Sequence, residues 1–539
     1  MSFLWAGLER RDDRPDVLRC WDGSRYVRWS WDDWRAASAR AAARLRAEGV
    51  RPGDRVACIL ANSPQSCALV LGVWMLGGCV VSLPTRARSM DHQAYLRLID
   101  GIIDQANPSL TLVPDPKLAI AVSDNRARVY LHDAVVDLSD RSTPSWAITP
   151  VAPPEGVADA FIQYSSGSTE APKGCILSAE AIAAQLIRLS EALQIDAARD
   201  VGVFWLPLSH DMGFFGALML AFAAGHRLVL GTPERFISRP ITWLEDYATF
   251  AGTLSATPPF GLAVATRLAQ QLPVPSFTFG RLVVGAERVQ ADMLRSAAVA
   301  FGPTCLPWSA LLPAYGLAEA TLAVTMTPLG HGPEIRTVAG RSLGVGDVVP
   351  TDAGNDAARE IVSVGRPLRD ITVTLADDAR DVGELVVDSP SLMSGYVARP
   401  RRDSGVGMAT GDLGFCADGQ VFVTGRADDM LVVGGRNVYA QDLEGALSQV
   451  AEVRLGMSVV VAEREGYGLV LICELPRLHR APHVVADEVR GAAVRAAGVA
   501  IRRCLFVKPG TLPKTPSGKV QRFLCQELLA APPSGSIHV

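Results

Sequence analysis

Apolar residues along this chain recur in two rhythms. Residues 29–50, "WSWDDWRAASARAAARLRAEGV", carry Ala and Leu at helical spacing and end in Gly, predicting an amphipathic helix. "RVACILAN" (55–62) reads as a buried strand, "SPQSCALVLGVWMLGG" (63–78) as a helix stopped by Gly-Gly, and "CVVSLP" as the next strand. The alternation returns at 201–231 and 279–301. Strands alternating with helices predict parallel-type sheets covered by helices, an α/β fold. After about residue 365 the texture shifts to short β-type runs broken by Gly and Asp: "ITVTLAD", "GELVVDSP", "GQVFVTGR" and "DMLVVGG". From Val438 on, "YAQDLEGALSQV", "MSVVVAEREGYGLVLICEL" and "APHVVADEVRGAAVRAA" predict a small α+β unit. The expected organisation is a large N-terminal domain of two α/β subdomains over 1–424, with a β-rich subdomain at about 365–424. A Gly-rich hinge follows at 425–437, then a small mobile α+β domain over 438–539.

At 539 residues one ordinary core is insufficient, in keeping with that division. A content of 49% hydrophobic and 20% charged residues places the chain among globular proteins. The formal charge is 52 − 56 = −4 without a run of one sign, which argues against nucleic acid or an anionic membrane as a main partner. The ten Cys are scattered with no C-x-x-C pair, the pattern of reduced, buried thiols. The N-terminus turns charged too soon for a secretory signal, and the longest apolar runs, from Leu71 and Gly213, are too short to span a bilayer. A cytoplasmic protein without stable membrane insertion is expected.

Five stretches carry candidate chemistry. "FIQYSSGSTEAPKGCILS" (161–178) crowds hydroxyls, Gly and Lys173 behind a short strand. As a strand-to-helix loop it could be plain turn punctuation or a cradle in which backbone N–H groups, hydroxyls and a cation meet phosphate oxygens. It is not a Walker A loop, since no G-x-x-x-x-G-K-[ST] occurs. In "AYGLAEAT" (314–321), Glu319 could be the acidic first turn of a helix, or a Mg²⁺ ligand beside a Tyr315 that stacks on a base. "ATGDLGF" (409–415) puts Asp412 between glycines at a strand end, either as a turn residue or to grip a ribose diol. "PKTPSGKVQR" (513–522) is a basic segment that is either simply solvated or delivers Lys519 to charge developing on a phosphoryl group. "WLPLSHDMGF" (205–214) places His210 and Asp211 on an apolar wall, where a His is more often simply packed.

Taken together and in this order, with Gly-Arg-x-Asp-Asp at 425–429, these motifs resemble the adenylate-forming superfamily of acyl-CoA synthetases, luciferases and peptide-synthetase adenylation domains, over about Tyr26 to Arg522. The resemblance implies ATP and Mg²⁺ as cofactors. Transfer of AMP from ATP converts a carboxylate, which has no adequate leaving group, into a mixed anhydride that a thiol can open. By motif match, Ser165, Ser166, Gly167, Ser168, Thr169 and Lys173 would hold the β- and γ-phosphates, and Gly285, Ala286, Glu287, Tyr315 and Gly316 would frame adenine. Asp412 and Arg426 would bind ribose, and Glu319 the metal. Lys519, Glu319 and Thr169 would be catalytic, Lys519 bridging carboxylate and α-phosphate. His210, Asp211, Met212, Gly213 and Phe214 would line the acyl pocket, and Asp428 would be the hinge. Glu170 departs from the family's usual Gly.

"WLPLSHDMGFFGAL", "VVGAERV" and "TGRADDMLVVGGRNVYAQDLE" look most like fatty acyl-AMP ligases, which implies a fatty acid substrate and an acyl carrier protein, through its phosphopantetheine thiol, as acceptor. The stretch between Glu319 and Gly365 exceeds an ordinary connection. In that branch an extra segment lies here and is associated with rejection of coenzyme A, whereas an unconstrained surface loop would carry no such meaning. Pro259 stands where those ligases often have Asn, so the acyl channel is expected to differ in shape. The alternatives are a fatty acyl-CoA synthetase using coenzyme A, or a non-catalytic nucleotide or acyl-adenylate binding protein, against which the retention of Lys519, Glu319 and Asp412 weighs. An amino-acid adenylation domain lacks an amine-gripping Asp here, and a serine hydrolase lacks its G-x-S-x-G elbow.

Overall fold

The computed structural model describes residues 7, 10, 12–86, 90, 92–123, 128–137, 159–165, 173–343, 346–352, 358–377, 380–403, 405–433, 436–447, 450–453, 457–463, 468–475, 480–514 and 520–539. The first predicted helix forms over Trp31–Ala47, started by a capping box in which Ser30 and Asp33 satisfy each other's backbone N–H groups. Its apolar face, with Trp31, Trp34, Ala41 and Leu45, is buried against the helix Pro64–Met75.

Two large sheets result from the strand–helix alternation. One has seven strands, in the order Gly395–Tyr396, Lys173–Ser178, Asp159–Ser165, Cys79–Leu83, Arg55–Ile59, Leu110–Val113 and Val129–Leu131. Its last five are parallel, while the first two pair antiparallel at one edge. The other has nine strands, with a parallel centre running from Leu311–Gly316 through Arg281–Val284, Leu254–Thr257, Val201–Phe204 and Arg227–Leu230 to Leu18–Trp21. The α/β expectation is met.

The stretch after Tyr164 departs from its predicted form. "KGCILS" is itself a strand, Lys173–Ser178, paired antiparallel with Asp159–Ser165, and the helix starts only at Ala179 with Ser178 as N-cap. The hydroxyl-rich loop therefore joins two strands of a hairpin rather than a strand and a helix. The reason is burial: Gly174, Cys175, Ile176 and Leu177 are all inaccessible, and a half-polar helix could not fill that position.

The β-rich region is a four-stranded antiparallel sheet, Thr372–Leu375, Gly383–Asp388, Met408–Ala417 and Gln420–Arg426. A separate hairpin, Met430–Val433 with Arg436–Tyr439, follows. The C-terminal domain builds a second four-stranded sheet of Ser458–Ala462, Leu469–Glu474, Ile501–Val507 and Ile537–His538, covered by helices Ala440–Leu447, Pro482–Ala497 and Arg522–Ala530. Among the described residues the buried apolar clusters do not cross between the two regions: those of the large region draw on residues from Val17 to Phe422, those of the C-terminal one on Leu431 to Cys525. All ten cysteines are free and nine are buried. Among the described residues, no helix is long and apolar enough to cross a membrane.

Candidate active site

Four neighbouring parallel strands of the nine-stranded sheet, Val201–Phe204, Leu254–Thr257, Arg281–Val284 and Leu311–Gly316, share one feature. The loop or turn at the carboxyl end of each carries a motif singled out above: the wall around His210, Pro258–Pro259, Gly285–Glu287 and Tyr315–Glu319. Ligands of open α/β sheets bind outside such ends.

Backbone contacts shape this face. A Cβ on Gly285 would stand 2.8 Å from the Ala314 carbonyl oxygen, and one on Gly316 only 1.8 Å from that of Leu322. Thr321 is a buried β-branched residue at φ +68°, a strained conformation held by a hydrogen bond from its Oγ1 to the Ser391 carbonyl at 2.7 Å. Glu319 lies in a single 3-10 turn, Ala318–Ala320, between two antiparallel strands, so it opens no helix.

Three predicted nucleoside ligands are bonded to one another. The Tyr315 hydroxyl donates to Asp412 Oδ2 at 2.7 Å, and Arg426 Nε lies 3.2 Å from Asp412 Oδ1. Burial, with the Asp412 charge second, pushes the Tyr315 hydroxyl far above its ordinary range. Asp412 is not at a strand end as expected. It sits inside Met408–Ala417, directly opposite Arg426. Gly411 at φ +74° and a register shift after Leu413 break the strand's regularity there, which is why the sequence reads as a turn.

The charges of Glu319, Asp211 and Lys173, from three separate motifs, are all felt by one buried thiol. The thiol of Cys175 is pushed up by burial first, then by the charges of Glu319 and Asp211, with Lys173 opposing. Glu319 Oε1 accepts a hydrogen bond of 2.8 Å from the Tyr396 hydroxyl. Gln163, on the strand that leads into the hydroxyl-rich loop, donates to the Ser209 carbonyl at 3.0 Å and so ties that loop's base to the wall motif.

The wall is fixed by Asn62, whose Nδ2 donates to the carbonyls of Leu206 at 2.9 Å and Gly231 at 2.8 Å while its Oδ1 accepts from Leu208 N at 2.9 Å. His210 Nδ1 stands 2.6 Å from Asp211 Oδ1. A Cβ on Gly213 would meet the Pro207 oxygen at 2.2 Å, so only Gly allows the chain to turn there. The backbone then widens into a π-helical turn, Phe214–Met219, a form frequent at functional sites. Phe214, expected among the acyl-pocket residues, is packed in the core. It is wholly buried and stacks on Phe161 at 4.3 Å between ring centroids.

The strand Gln420–Arg426 runs past the predicted boundary, and Asp428 follows, exposed, in a 3-10 turn of Ala427–Asp429. The next residue, Asp429, accepts from Arg522 Nε at 3.1 Å, and Arg522 Nη1 reaches the partly buried Glu444 at 2.5 Å. Ser166, Gly167, Ser168, Thr169, Glu170 and Lys519 lie outside the described residues, and of Ser165 only the backbone is described. At the base of the segment that carries Lys519, Lys514 bridges to Val520 and its Nζ pairs with the buried Glu474 at 3.3 Å.

Sequence reasoning missed Asn62, Gln163, Thr321 and Tyr396. A polar residue closing or interrupting a buried apolar strand was the available signal for the first two. Thr321 and Tyr396 gave none, since a positive φ and a partner 77 positions away are invisible in local pattern. No group of three or more His, Cys, Asp or Glu side chains suited to a metal occurs among the described residues. A Mg²⁺ that arrives with ATP needs none, because it takes one or two carboxylates plus phosphate oxygens, and Glu319 presents one.

Residues 5–397 match the model of the AMP-binding enzyme family. The chain is similar to a 4-hydroxyphenylalkanoate adenylyltransferase of Mycobacterium bovis, at 30% identity over 87% of this chain and 81% of that protein. It is also similar to the long-chain-fatty-acid–AMP ligase FadD32 of Mycolicibacterium smegmatis, at 28% identity over 92% and 88% of the two chains. In fold it superposes on a structure from a study of fatty acyl-adenylate ligases of E. coli and L. pneumophila, with a TM-score of 0.87 at 24% identity and 98% coverage of both chains. The chain belongs to the AMP-binding enzyme family and is an adenylate-forming ligase.

Proposed function

We propose that this ligase activates a fatty acid with ATP to an acyl-AMP, releasing pyrophosphate, and passes the acyl group to the phosphopantetheine thiol of an acyl carrier protein. In this reading Tyr315 and Gly285–Glu287 frame adenine, and Asp412 with Arg426 takes the ribose hydroxyls. The loop from Ser165 to Lys173 holds the terminal phosphates, including through Ser166, Gly167, Ser168 and Thr169. Mg²⁺, held by Glu319, neutralises charge on the phosphate oxygens when bound. Lys519 places an ammonium between the acid and the α-phosphate, so that catalysis is positioning and fixed charge rather than covalent chemistry. His210, Asp211 and Met212 face the acyl chain, whose apolar length favours a dry wall by roughly 0.8 kcal/mol per buried CH₂. Asp428, exposed between the two regions, is the point about which the C-terminal domain turns between half-reactions.

The observation that carries the carrier-protein reading is the segment after Glu319. It forms paired strands, Ile335–Ala339 with Ile361 and its neighbours in Ala358–Val362. Val338, Leu343 and Ile361 pack with Phe415 and Phe422 of the β-rich sheet, and Arg295 Nη2 holds Glu360 at 2.6 Å. A segment so tied is part of the fold, as an element that limits the acceptor must be. The test offers a panel of straight-chain and aryl-capped acids with ATP and either coenzyme A or a holo-carrier protein. Acyl loading of the carrier without an acyl-CoA product is expected, and Lys519→Ala should abolish pyrophosphate release with every acid. An accumulating coenzyme A thioester would reject the acceptor assigned here.

A further inference from the structure

One short segment controls both ends of Glu319. Met393 N donates to the Glu319 carbonyl at 2.7 Å, and three residues later the Tyr396 hydroxyl donates to Glu319 Oε1 at 2.8 Å. The segment is itself held on the edge of the seven-stranded sheet, with Ser394 N bonded to the Ile176 carbonyl and Val397 N to that of Gly174, each at 2.8 Å. Gly395 pairs with Ile176 and Tyr396 with Cys175. Gly395 adopts φ +143°, which a side chain would resist, and the Arg399 guanidinium lies over the Tyr396 ring at 5.6 Å. The phenol is thus fixed in place by backbone pairing and ring packing. Among the described residues it is the one hydrogen-bond donor to the Glu319 carboxylate.

We infer that Tyr396 is a positioning and specificity-determining residue that reserves one oxygen of Glu319, leaving Oε2 as the oxygen offered to a cation, and so favours Mg²⁺ over a larger divalent ion in the ATP complex. The inference rests on the role proposed above for Glu319. A carboxylate with both oxygens available can bind in bidentate fashion, which suits Ca²⁺ with its six to eight oxygen ligands. Mg²⁺ is smaller, demands near-octahedral geometry and takes a carboxylate through one oxygen. A neutral donor on Oε1 removes the bidentate option without cancelling the charge. A tyrosine phenol, with an ordinary pKa of about 10, is a neutral donor across the working pH range.

The test is calorimetric titration of the full-length protein with ATP in Mg²⁺ and, separately, in Ca²⁺, using wild type, Tyr396→Phe and Glu319→Gln, each checked for an unchanged thermal midpoint. Loss of a partner that orients a metal ligand costs on the order of tenfold in affinity. Tyr396→Phe should therefore weaken ATP binding in Mg²⁺ by about that factor while changing it less than about twofold in Ca²⁺. Glu319→Asp, whose shorter side chain withdraws from the phenol, should shift the Mg²⁺/Ca²⁺ ratio the same way. If Tyr396→Phe weakens both complexes equally, or neither, while Glu319→Gln weakens the Mg²⁺ complex, the role of Tyr396 is overturned and that of Glu319 stands. If Glu319→Gln leaves binding in Mg²⁺ unaltered, the reading of Glu319 fails and the inference with it.

Discussion

The large region and the C-terminal domain hold their functional elements by different forces. In the large region, Gly316 and Gly285 let backbones approach closely, Thr321 sits strained, and Asn62 and Gln163 pin loops through neutral hydrogen bonds. In the C-terminal domain the equivalent work falls to buried charge. Glu444 accepts from Val460 N at 2.8 Å and binds Arg522, which also reaches Asp429 beside the proposed pivot. Glu474 accepts from Leu512 N at 2.7 Å and pairs with Lys514. Close backbone packing admits one arrangement, so the large region offers a fixed face to the nucleotide site proposed above. The charge pairs make the smaller domain rigid inside itself while its apolar clusters stop short of its neighbour's, which suits a body that changes its placement as a unit.

Arg522→Met gives the largest expected break in that comparison. Removing the cation takes the counter-charge from Asp429 and from Glu444, whose side chain is 12% exposed, and breaking a pair so little exposed costs about 3 kcal/mol. Burial raises the Glu444 carboxyl against the pull of Arg522, so the variant should take up a proton there. Hydrogen exchange should accelerate across Ser458–Ala462 and Leu469–Glu474 but not in Val201–Phe204. Uniform acceleration through both regions would show that the two are not separately stabilised.

Asn62→Ala tests the neutral side. It leaves Leu208 N and the carbonyls of Leu206 and Gly231 without their side-chain partner in a dry interior, for a loss of about 2 kcal/mol. Because those three groups hold the loop into His210, KM for the acid should rise several-fold while KM for ATP changes little. An equal rise in both would mean that the wall and the nucleotide face move together.

The sequence disclosed what depends on periodicity or on a short contiguous motif, and it concealed what depends on pairing. The helix Trp31–Ala47 and the strand Arg55–Ile59 follow from spacing and an N-cap. Gly285–Glu287 and Tyr315–Glu319 are contiguous, and the fold sets them at adjacent strand ends. The hairpin of Lys173–Ser178 was hidden because its apolar run continues without a break into the helix at Ala179. Asp412 read as a turn because Gly411 and Gly414 flank it, although the strand continues through a bulge. Phe214 reads with His210 and Asp211 because it follows them, and nothing in the sequence foretells the stacking of its ring on Phe161 from a π-helical turn.

The smallest effect separates the two regions by pH. His226, in the large region, is 1% exposed with neither ring nitrogen hydrogen-bonded. Burial lowers its pKa to about 4; Asp200 pulls the other way, and Arg281, Arg10 and Arg14 add to the lowering. The folded chain therefore keeps this imidazole neutral between about pH 6.5 and 4, while the unfolded chain protonates it. Over that window the unfolded state binds more protons, so stability falls as pH falls. His132, also lowered to about 4 by burial, contributes a slope of the same sign. His226→Leu should be neutral or mildly stabilising at pH 7, where it removes a buried polar group without partners. Between pH 6.5 and 4 it should flatten the decline in melting temperature by about half, leaving the share of His132. In the C-terminal domain burial raises the Glu444 carboxyl, so the folded state holds the extra proton there and the slope has the opposite sign; hydrogen-exchange protection in Ser458–Ala462 should therefore fall less with falling pH than in Arg227–Leu230. An undiminished slope in the variant would place the acid sensitivity elsewhere, in the carboxylates paired with Arg281 and its neighbours.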